Sequence, residues 1–279
     1  MPTTITPAPD TLVATIDIPI DGELATAASV GVPDTALLNL GYFALKRLQH
    51  CDGTIRARCD GTFGTPDEKT IRIYPILGFV VIDTAVRFAF KTTNTDIDES
   101  ELEGGGVYAN NTFYYVYAYI SGGLVTFQIS TTAPDAYRIF KSGGTTHKYL
   151  FSFITNGIGN VARFYWDRGT MILHNERVVV NSSPVVAASV SLAGYIPPHS
   201  KIAIVRSTLD NSAGAGGHAY IGPTPTDVAS NDGRQMFVGA NSLNSEAYDL
   251  ALGETSQDFD HIVNAGTTAH ALACVGWRE

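Results

Sequence analysis

The sequence predicts a mainly β protein: an antiparallel, jelly-roll-like β-sandwich body preceded by a short N-terminal helical attachment segment. After Gln49, apolar and polar residues alternate with a period of two, in short runs separated by Gly, Asn and Pro. This pattern is typical of antiparallel sandwiches and barrels. A convincing helical pattern occurs once, within Asp21–Gln49. Of the 279 residues, 44% are apolar and 16% are charged, so the chain can bury a large core.

Residues 1–50 are predicted to form an arm and a helix used for attachment or oligomerisation. Leu12–Ile18 alternates like a short strand, and Pro33 and Asp34 suit the first turn of the helix that follows. A helix that is apolar on nearly all sides must be covered on several of them, either within its own domain or by copies of itself. The flanking Pro-rich and Gly-rich stretches favour the copies. The candidate interface residues are Leu37, Leu38, Leu40, Phe43, Leu45 and Leu48.

The rest of the chain is predicted to form a β subdomain over residues 51–103 and a β-sandwich domain over residues 104–279. The acidic run Asp96–Glu103, followed by three glycines, marks the boundary. Its carboxylates raise the alternative of a calcium site, but the run lacks the spacing and central glycine of a helix-loop-helix calcium loop. We therefore expect a solvated loop there. The strand candidates are 55–59, 70–82, 85–92, 113–120, 124–131, 146–155, 161–166, 170–174, 177–180, 185–192, 201–207, 219–222, 235–239, 248–252 and 268–277.

The most unusual segment is an aromatic hairpin, FYYVYAYISGGLVTFQIS, in which Gly122-Gly123 is a good two-residue turn. Strand alternation places Tyr115, Tyr117 and Tyr119 on one face and Tyr114 on the other. With apolar or amphipathic residues on both faces, the segment is predicted to be a central strand. Its tyrosines would build a sandwich core or a subunit interface; a platform for stacking sugars is the alternative.

Composition and motifs exclude several classes of function. A formal net charge of −9 disfavours nucleic acid and anionic membrane surfaces as partners. The longest apolar run, PILGFVVI, is far shorter than the ~20 residues of a membrane helix, and MPTTITPAPD has no secretion-signal pattern. No nucleotide-binding, hydrolase-elbow or zinc-protease motif occurs, so we expect no enzymatic activity and no cofactor.

Two smaller features are predicted to be structural. Cys51 and Cys59 lie in a near-repeat, CDGTIRAR and CDGTFGTP, without further soft metal ligands nearby. A disulfide between them remains an alternative, although free thiols are favoured in a protein made in the cytosol. The densest acid–histidine cluster, QDFDH with Asp258, Asp260 and His261, is expected to be a polar turn. Two distant carboxylates of a glycan-degrading enzyme remain an unsupported third hypothesis.

The aromatic hairpin and its surroundings resemble a module of tail-fibre and related virion proteins of tailed bacteriophages. The matching features are the YYVY strand, the STTAP corner, the YLFSF strand and the short GNVARF strand, in that order. DGELATAASV is similar to the segment before the first helix of such proteins, and VGWRE to the last strand of several fibre tips. The resemblance covers roughly residues 20–50 and 107–205. The sequence contains no fibrous repeat and no heptad stalk, so the resemblance implies a short, compact subunit.

The resemblance implies a non-enzymatic structural protein of a phage or phage-like particle, of tail-fibre, baseplate or decoration type. Such a subunit assembles in the host bacterial cytoplasm, forms a homo-oligomer, expected to be a trimer, and docks on another virion protein. A role in host attachment fits the same family. The alternative function is a carbohydrate-binding module that recognises a host-surface glycan.

Overall fold

The computed structural model describes residues 13–16, 55–60, 68–82, 86–91, 93–136, 138–181, 188–211, 217–223, 234–239, 242–252, 256–263 and 269–279. The predicted apolar helix with its six candidate interface residues, and Cys51, lie outside the described residues. The strands are β1 Val13–Ile16, β2 Arg56–Cys59, β3 Ile71–Ile73, β4 Ile76–Ile82, β5 Val86–Lys91, β6 Thr95–Ile97, β7 Phe113–Ser121, β8 Leu124–Ser130, β9 Lys148–Ile154, β10 Phe164–Asp167, β11 Thr170–Asn181, β12 Ala188–Ser191, β13 Ile202–Asn211, β14 Gly217–Pro223, β15 Arg234–Val238, β16 Ser242–Ala251, β17 Asp258–Val263 and β18 Ala269–Arg278.

The predicted fold class is confirmed: the described chain is mainly β, with antiparallel sheets. It divides into two compact units. One comprises Met1–Val161 and Trp166–Gly169, the other Ala162–Tyr165 and Thr170–Glu279. The chain therefore crosses from one unit to the other within β10. The boundary predicted after residue 103 lies inside the first unit, where the Glu103 N–H donates to the Ile129 carbonyl at 2.8 Å.

The first unit contains three three-stranded arrangements, in the orders β1-β5-β4, β2-β3-β6 and β8-β7-β9. In β2 and β3 the predicted alternation places every second side chain in the interior. Ala57 lies opposite Ile73 across the β2–β3 pair, and Ile71 lies opposite Ile97 across the β3–β6 pair. All four side chains are buried. Cys59, the last residue of β2, is buried as well.

The acidic run is solvated, as predicted, but it is not an irregular loop. It contains the last two residues of β6 and a 3-10 helix, Glu99–Glu101, whose N-cap is Asp98. Asp98 accepts from the Ser100 N–H at 2.7 Å, and Glu101 accepts from the Asp98 N–H at 2.8 Å, which forms a capping box. Glu99 binds Lys69 at 2.9 and 3.0 Å and the Tyr108 N–H at 2.7 Å. These carboxylates therefore satisfy local donors.

The second unit is a sandwich of two antiparallel sheets with strand orders β16-β13-β18-β11 and β12-β17-β14-β15. Leu209 of the first sheet packs with four side chains of the second, Ala219, Met236, Val238 and Val263, in one buried cluster. The sequence pattern predicted two strands, 170–174 and 177–180, where the structure has one. It divided the twelve-residue strand β11 in two, because polar residues interrupt the alternation and the pairing with β18 shifts register there.

The prediction of a polar turn at the QDFDH segment is wrong, because its residues from Asp258 onward form strand β17. Its residues alternate between half-buried and buried positions. Asp258 and Asp260 lie on the outer face, whereas His261 is buried on the inner face. Strand geometry thus separates the acids from the histidine that sequence proximity had grouped with them.

At Gly276 the backbones of β18 and β11 approach each other closely. A Cβ at this position would lie 1.9 Å from the Met171 carbonyl oxygen, far inside van der Waals contact with the backbone of β11. Gly276 lies opposite Ile172 of β11 in this antiparallel pair. Only a residue without a side chain lets the two strands approach to this distance.

We expect Gly276→Ala to destabilise the protein by about 1–3 kcal/mol, because the added methyl group forces β11 and β18 apart. Chemical denaturation measures this change. Gly144→Ala is the matched control, since the nearest atom to a Cβ there is the Lys141 carbonyl oxygen at 4.0 Å. Equal stability of the two variants would contradict the close approach.

Candidate functional site

The tyrosine-rich strand β7 is the central strand of its sheet, as predicted, with β8 on one side and β9 on the other. The register places Tyr117 opposite Gln128 of β8 and Tyr149 of β9. Residues 114–118 are all buried. A central strand bearing large rings on both faces needs cover on both, and both faces of this segment are covered.

The hairpin between β7 and β8 turns at Gly122-Gly123, as predicted. Their φ angles are 57° and 81°, the left-handed values that a two-residue hairpin turn requires at both central positions and that glycine adopts without steric cost. The turn sets the register in which Ser121 faces Leu124 and Tyr119 faces Thr126.

On one face of the sheet, the predicted tyrosines form a graded series from interior to surface. Tyr115 and Tyr117 are buried and cluster with Tyr149, at ring-centroid distances of 6.4 and 5.8 Å. The Tyr117 hydroxyl donates to the Thr132 carbonyl at 2.6 Å. Tyr119 is half-buried, and its ring stacks on His147 at 4.6 Å. Of the three, Tyr119 is the one with ring surface left for a ligand.

The other face is an aromatic core. Tyr114 stacks on Phe153 at 5.5 Å and lies 5.1 Å from Tyr108. The Tyr114 hydroxyl accepts a hydrogen bond from the Ala109 N–H at 2.7 Å. Burial and nearby carboxylates raise the pKa of Tyr108, so this ring stays neutral. The tyrosines of β7 therefore supply apolar area while their hydroxyls reach backbone groups at the sheet margin.

Sequence reasoning missed Tyr149 and His147, the β9-side partners of the predicted tyrosines. Both lie at the start of the strand candidate 146–155, so the signal was present in the pattern. Their positions depend on a register shift in the β7–β9 pair between Val116 and Tyr117. Alternation alone does not show where such a bulge occurs.

A polar network flanks the half-buried end of the tyrosine face. Glu103 accepts hydrogen bonds from Lys141 and Ser130, and these two bonds, in that order, lower the pKa of the Glu103 carboxyl. Lys141 also donates to Gln128 at 3.1 Å. Burial, and then the Lys141 ammonium, lower the pKa of His147. At neutral pH the network therefore presents a carboxylate, an ammonium group, an amide and a neutral imidazole.

In the second unit, large apolar side chains remain exposed near the β15–β16 connection. Phe237 is 62% exposed and Leu243 is 65% exposed. The Asn244 side-chain amide donates to the Phe237 carbonyl at 2.6 Å, so the two strands meet at this point. His218 lies beside Phe237, at a ring-centroid distance of 5.9 Å. No sequence pattern singled out this surface, because its residues come from separate strands.

The described residues contain no group of three or more His, Cys, Asp or Glu side chains placed to hold a metal ion. Within the same described residues, no helix is long and apolar enough to cross a membrane. Cys274 is buried in β18, and burial raises the pKa of its thiol to about 11. A thiol with such a pKa is a poor nucleophile at neutral pH.

Comparison of the chain with protein-family models, with curated proteins and with solved structures finds no match.

We expect Tyr117→Phe to cost about 0.5–1.5 kcal/mol, because it removes the hydrogen bond from the buried Tyr117 hydroxyl to the Thr132 carbonyl, which is exposed and can bind water instead. Tyr119→Phe is the matched control, since this half-buried ring keeps its stack on His147 without the hydroxyl. Urea denaturation of both variants measures the difference. A Tyr117→Phe variant as stable as Tyr119→Phe would show that the buried hydroxyl contributes nothing.

Proposed function

We propose that the chain is a non-enzymatic structural subunit of a phage or phage-like particle, of tail-fibre, baseplate or decoration type. It assembles with copies of itself, as a trimer, and docks on another virion protein. The observation that carries this proposal is that several large apolar side chains are exposed on both units, whereas residues 114–118 of the tyrosine-rich strand β7 are buried in the core. Exposed apolar clusters mark surfaces that another protein covers.

A pair of these side chains lies in each unit. In the first unit, Val107 is 70% exposed and Ile158 is 75% exposed. Their loops touch, because a Cβ on Gly159 would lie 2.7 Å from the Tyr108 carbonyl oxygen. In the second unit the pair is Phe237 and Leu243. Both pairs lie on loops or strand ends, where a subunit contact needs no change in the sheets.

The low charge of the chain supports the same proposal. Charged residues make up 16% of the sequence, and interface centres are depleted in charge relative to other surfaces. Several of the charged groups are paired within the chain, including Arg278 with Asp249 at 2.7 Å and Arg206 with Glu176 at 2.8 Å. Strand β17 places the side chains of Asp258 and Asp260 on the face opposite to that of His261, which is a poor arrangement for joint acid–base catalysis by these three groups.

We expect the full chain to have the native mass of a trimer by light scattering at micromolar concentration. Ile158→Ser and Leu243→Ser, made separately, test the two apolar pairs. The variant at the true interface dissociates, because it places a hydroxyl where apolar area is buried. Leu124→Ser, at the tip of the β7–β8 hairpin, is the control.

A monomeric wild-type chain at these concentrations would contradict the self-assembly. Mass spectrometry of purified particles from producing cells tests the virion location separately. Absence of the chain from particles that contain their other structural proteins would contradict that part of the proposal.

The second candidate function is recognition of a host-surface glycan, and one specific observation favours it. The half-buried ring of Tyr119 stacks on His147 and lies opposite Thr126 of β8. Gln128, two residues along β8, accepts a hydrogen bond from Lys141, so an aromatic face and hydrogen-bonding groups occur in the same part of the sheet. Carbohydrate sites combine these two elements. The rings of Tyr115 and Tyr117 are buried, so a sugar could not stack on them.

We expect Tyr119→Ala to weaken binding roughly tenfold or more on an array of bacterial surface oligosaccharides, because it removes the stacking ring. Tyr119→Phe keeps the ring and should retain most of the binding. If the wild-type chain binds no oligosaccharide on the array, or if both variants bind like wild type, this candidate is wrong.

A further inference from the structure

Two buried histidines meet in the interior of the second unit, one from each sheet. His261 is on the inner face of β17, and His270 is on β18 in the opposite sheet. Each is 1% exposed, and their ring centroids are 5.5 Å apart. The pair therefore bridges the two layers of the sandwich at a place where apolar contacts are the rule.

The hydrogen bonds of the pair are incomplete. His270 Nε2 lies 2.9 Å from the hydroxyl of Ser207, which is buried on β13. The Nδ1 atoms of both histidines are buried and have no hydrogen-bond partner. A neutral imidazole can leave one nitrogen without a proton, whereas a protonated imidazole carries an N–H on both. Protonation would therefore place a donor and a positive charge at an Nδ1 that has no acceptor.

The residues directly opposite the two histidines in their own sheets are apolar. Ile221 of β14 and Ala188 of β12 lie opposite His261, and Leu209 of β13 lies opposite His270. Val180 of β11 lies opposite Leu272, two residues along β18 from His270.

Charged and titratable side chains also occur near the pair. Glu246 of β16 lies opposite Ser207 and forms an ion pair with Arg234 of β15, so this carboxylate already has a cationic partner. Asp260 of β17, Asp210 of β13 and His218 of β14 are half-buried and, by strand alternation, point to the outer faces. The Asp260 carboxylate favours the charged form of His261. The group that acts on the charge of His270 is His261, which has the same sign when protonated.

We propose that the His261–His270 pair is an acid-sensitive latch between the two sheets of the second unit. With both rings neutral the sheets pack closed, and uptake of a proton by the pair opens the sandwich between β17 and β18. The device responds to solution pH alone and needs no ligand.

The direction of the pH effect follows from linkage. Burial lowers the pKa of both histidines, and lowers that of His270 to about 4 from an ordinary 6.5, with the charge of His261 as the second cause for His270. An open state with ordinary histidines binds more protons than the closed state between these values. The latch therefore holds fully above pH 6.5 and weakens progressively as the pH falls toward 4.

Hydrogen exchange followed by mass spectrometry on the full chain tests the latch. After correction for the chemical exchange rate, we expect the protection of β17 and β18 to fall roughly 50- to 100-fold between pH 7.5 and 4.5, the effect of one neutral histidine with a pKa near 4. Peptides from β7, in the first unit, report any general acid effect in the same sample.

The variant His261→Phe/His270→Gln removes both titrating rings, and the glutamine keeps an amide near Ser207. Its β17 and β18 protection should be independent of pH over this range. His174→Gln removes an exposed histidine of β11 and should behave like wild type. Should the double variant fail to fold, an NMR titration of His270 in the wild-type chain decides the matter. Equal pH dependence of the double variant and wild type, or titration of His270 near 6.5 in the closed state, would overturn the proposal.

Discussion

The burial of aromatic rings on both faces of β7 organises the β8-β7-β9 sheet of the first unit, and the hydroxyls of Tyr114 and Tyr117 are hydrogen-bonded there, whereas the Tyr108 hydroxyl is buried without a partner. Strand β7 carries rings on both faces, and burying them removes a large apolar area from water. The same burial would cost free energy if the hydroxyls lost their partners. Tyr117 reaches the Thr132 carbonyl, and Tyr114 accepts from the Ala109 N–H. The chain segments that flank the sheet must therefore run where these hydroxyls end, which ties the loops to the strand.

The second unit places two histidines among the apolar side chains of its core. There the two sheets meet through apolar clusters such as that around Leu209, but also through His261 and His270, whose Nδ1 atoms are unsatisfied. Unsatisfied buried groups are uncommon in native cores and call for an explanation. Burying a neutral imidazole costs less desolvation free energy than burying an imidazolium ion, so the unsatisfied pair is tolerated at neutral pH. That difference between the two protonation states is what makes the site responsive.

Much of the fold follows from alternation, and the exceptions have identifiable causes. The hairpin of β7 and β8 and the central position of β7 were predicted because period-two patterns and a Gly-Gly turn are local signals. Strand β17 was missed because its outward positions carry Asp258 and Asp260, whose polarity suggests a turn. The acidic run was assigned to a loop because its capping box and its bond to Lys69 join residues whose proximity only the fold creates.

The sequence by itself determined the β class, the two-faced character of β7 and the side on which each tyrosine lies, because side-chain direction in a strand depends only on local backbone geometry. The tertiary structure decided which strands pair and in which register. It therefore decided that Tyr119 meets His147, that Gly276 meets Met171 and that two histidines nine residues apart face each other across two sheets. Pairing is a non-local choice, made by the total burial of many side chains at once, and no single segment encodes it.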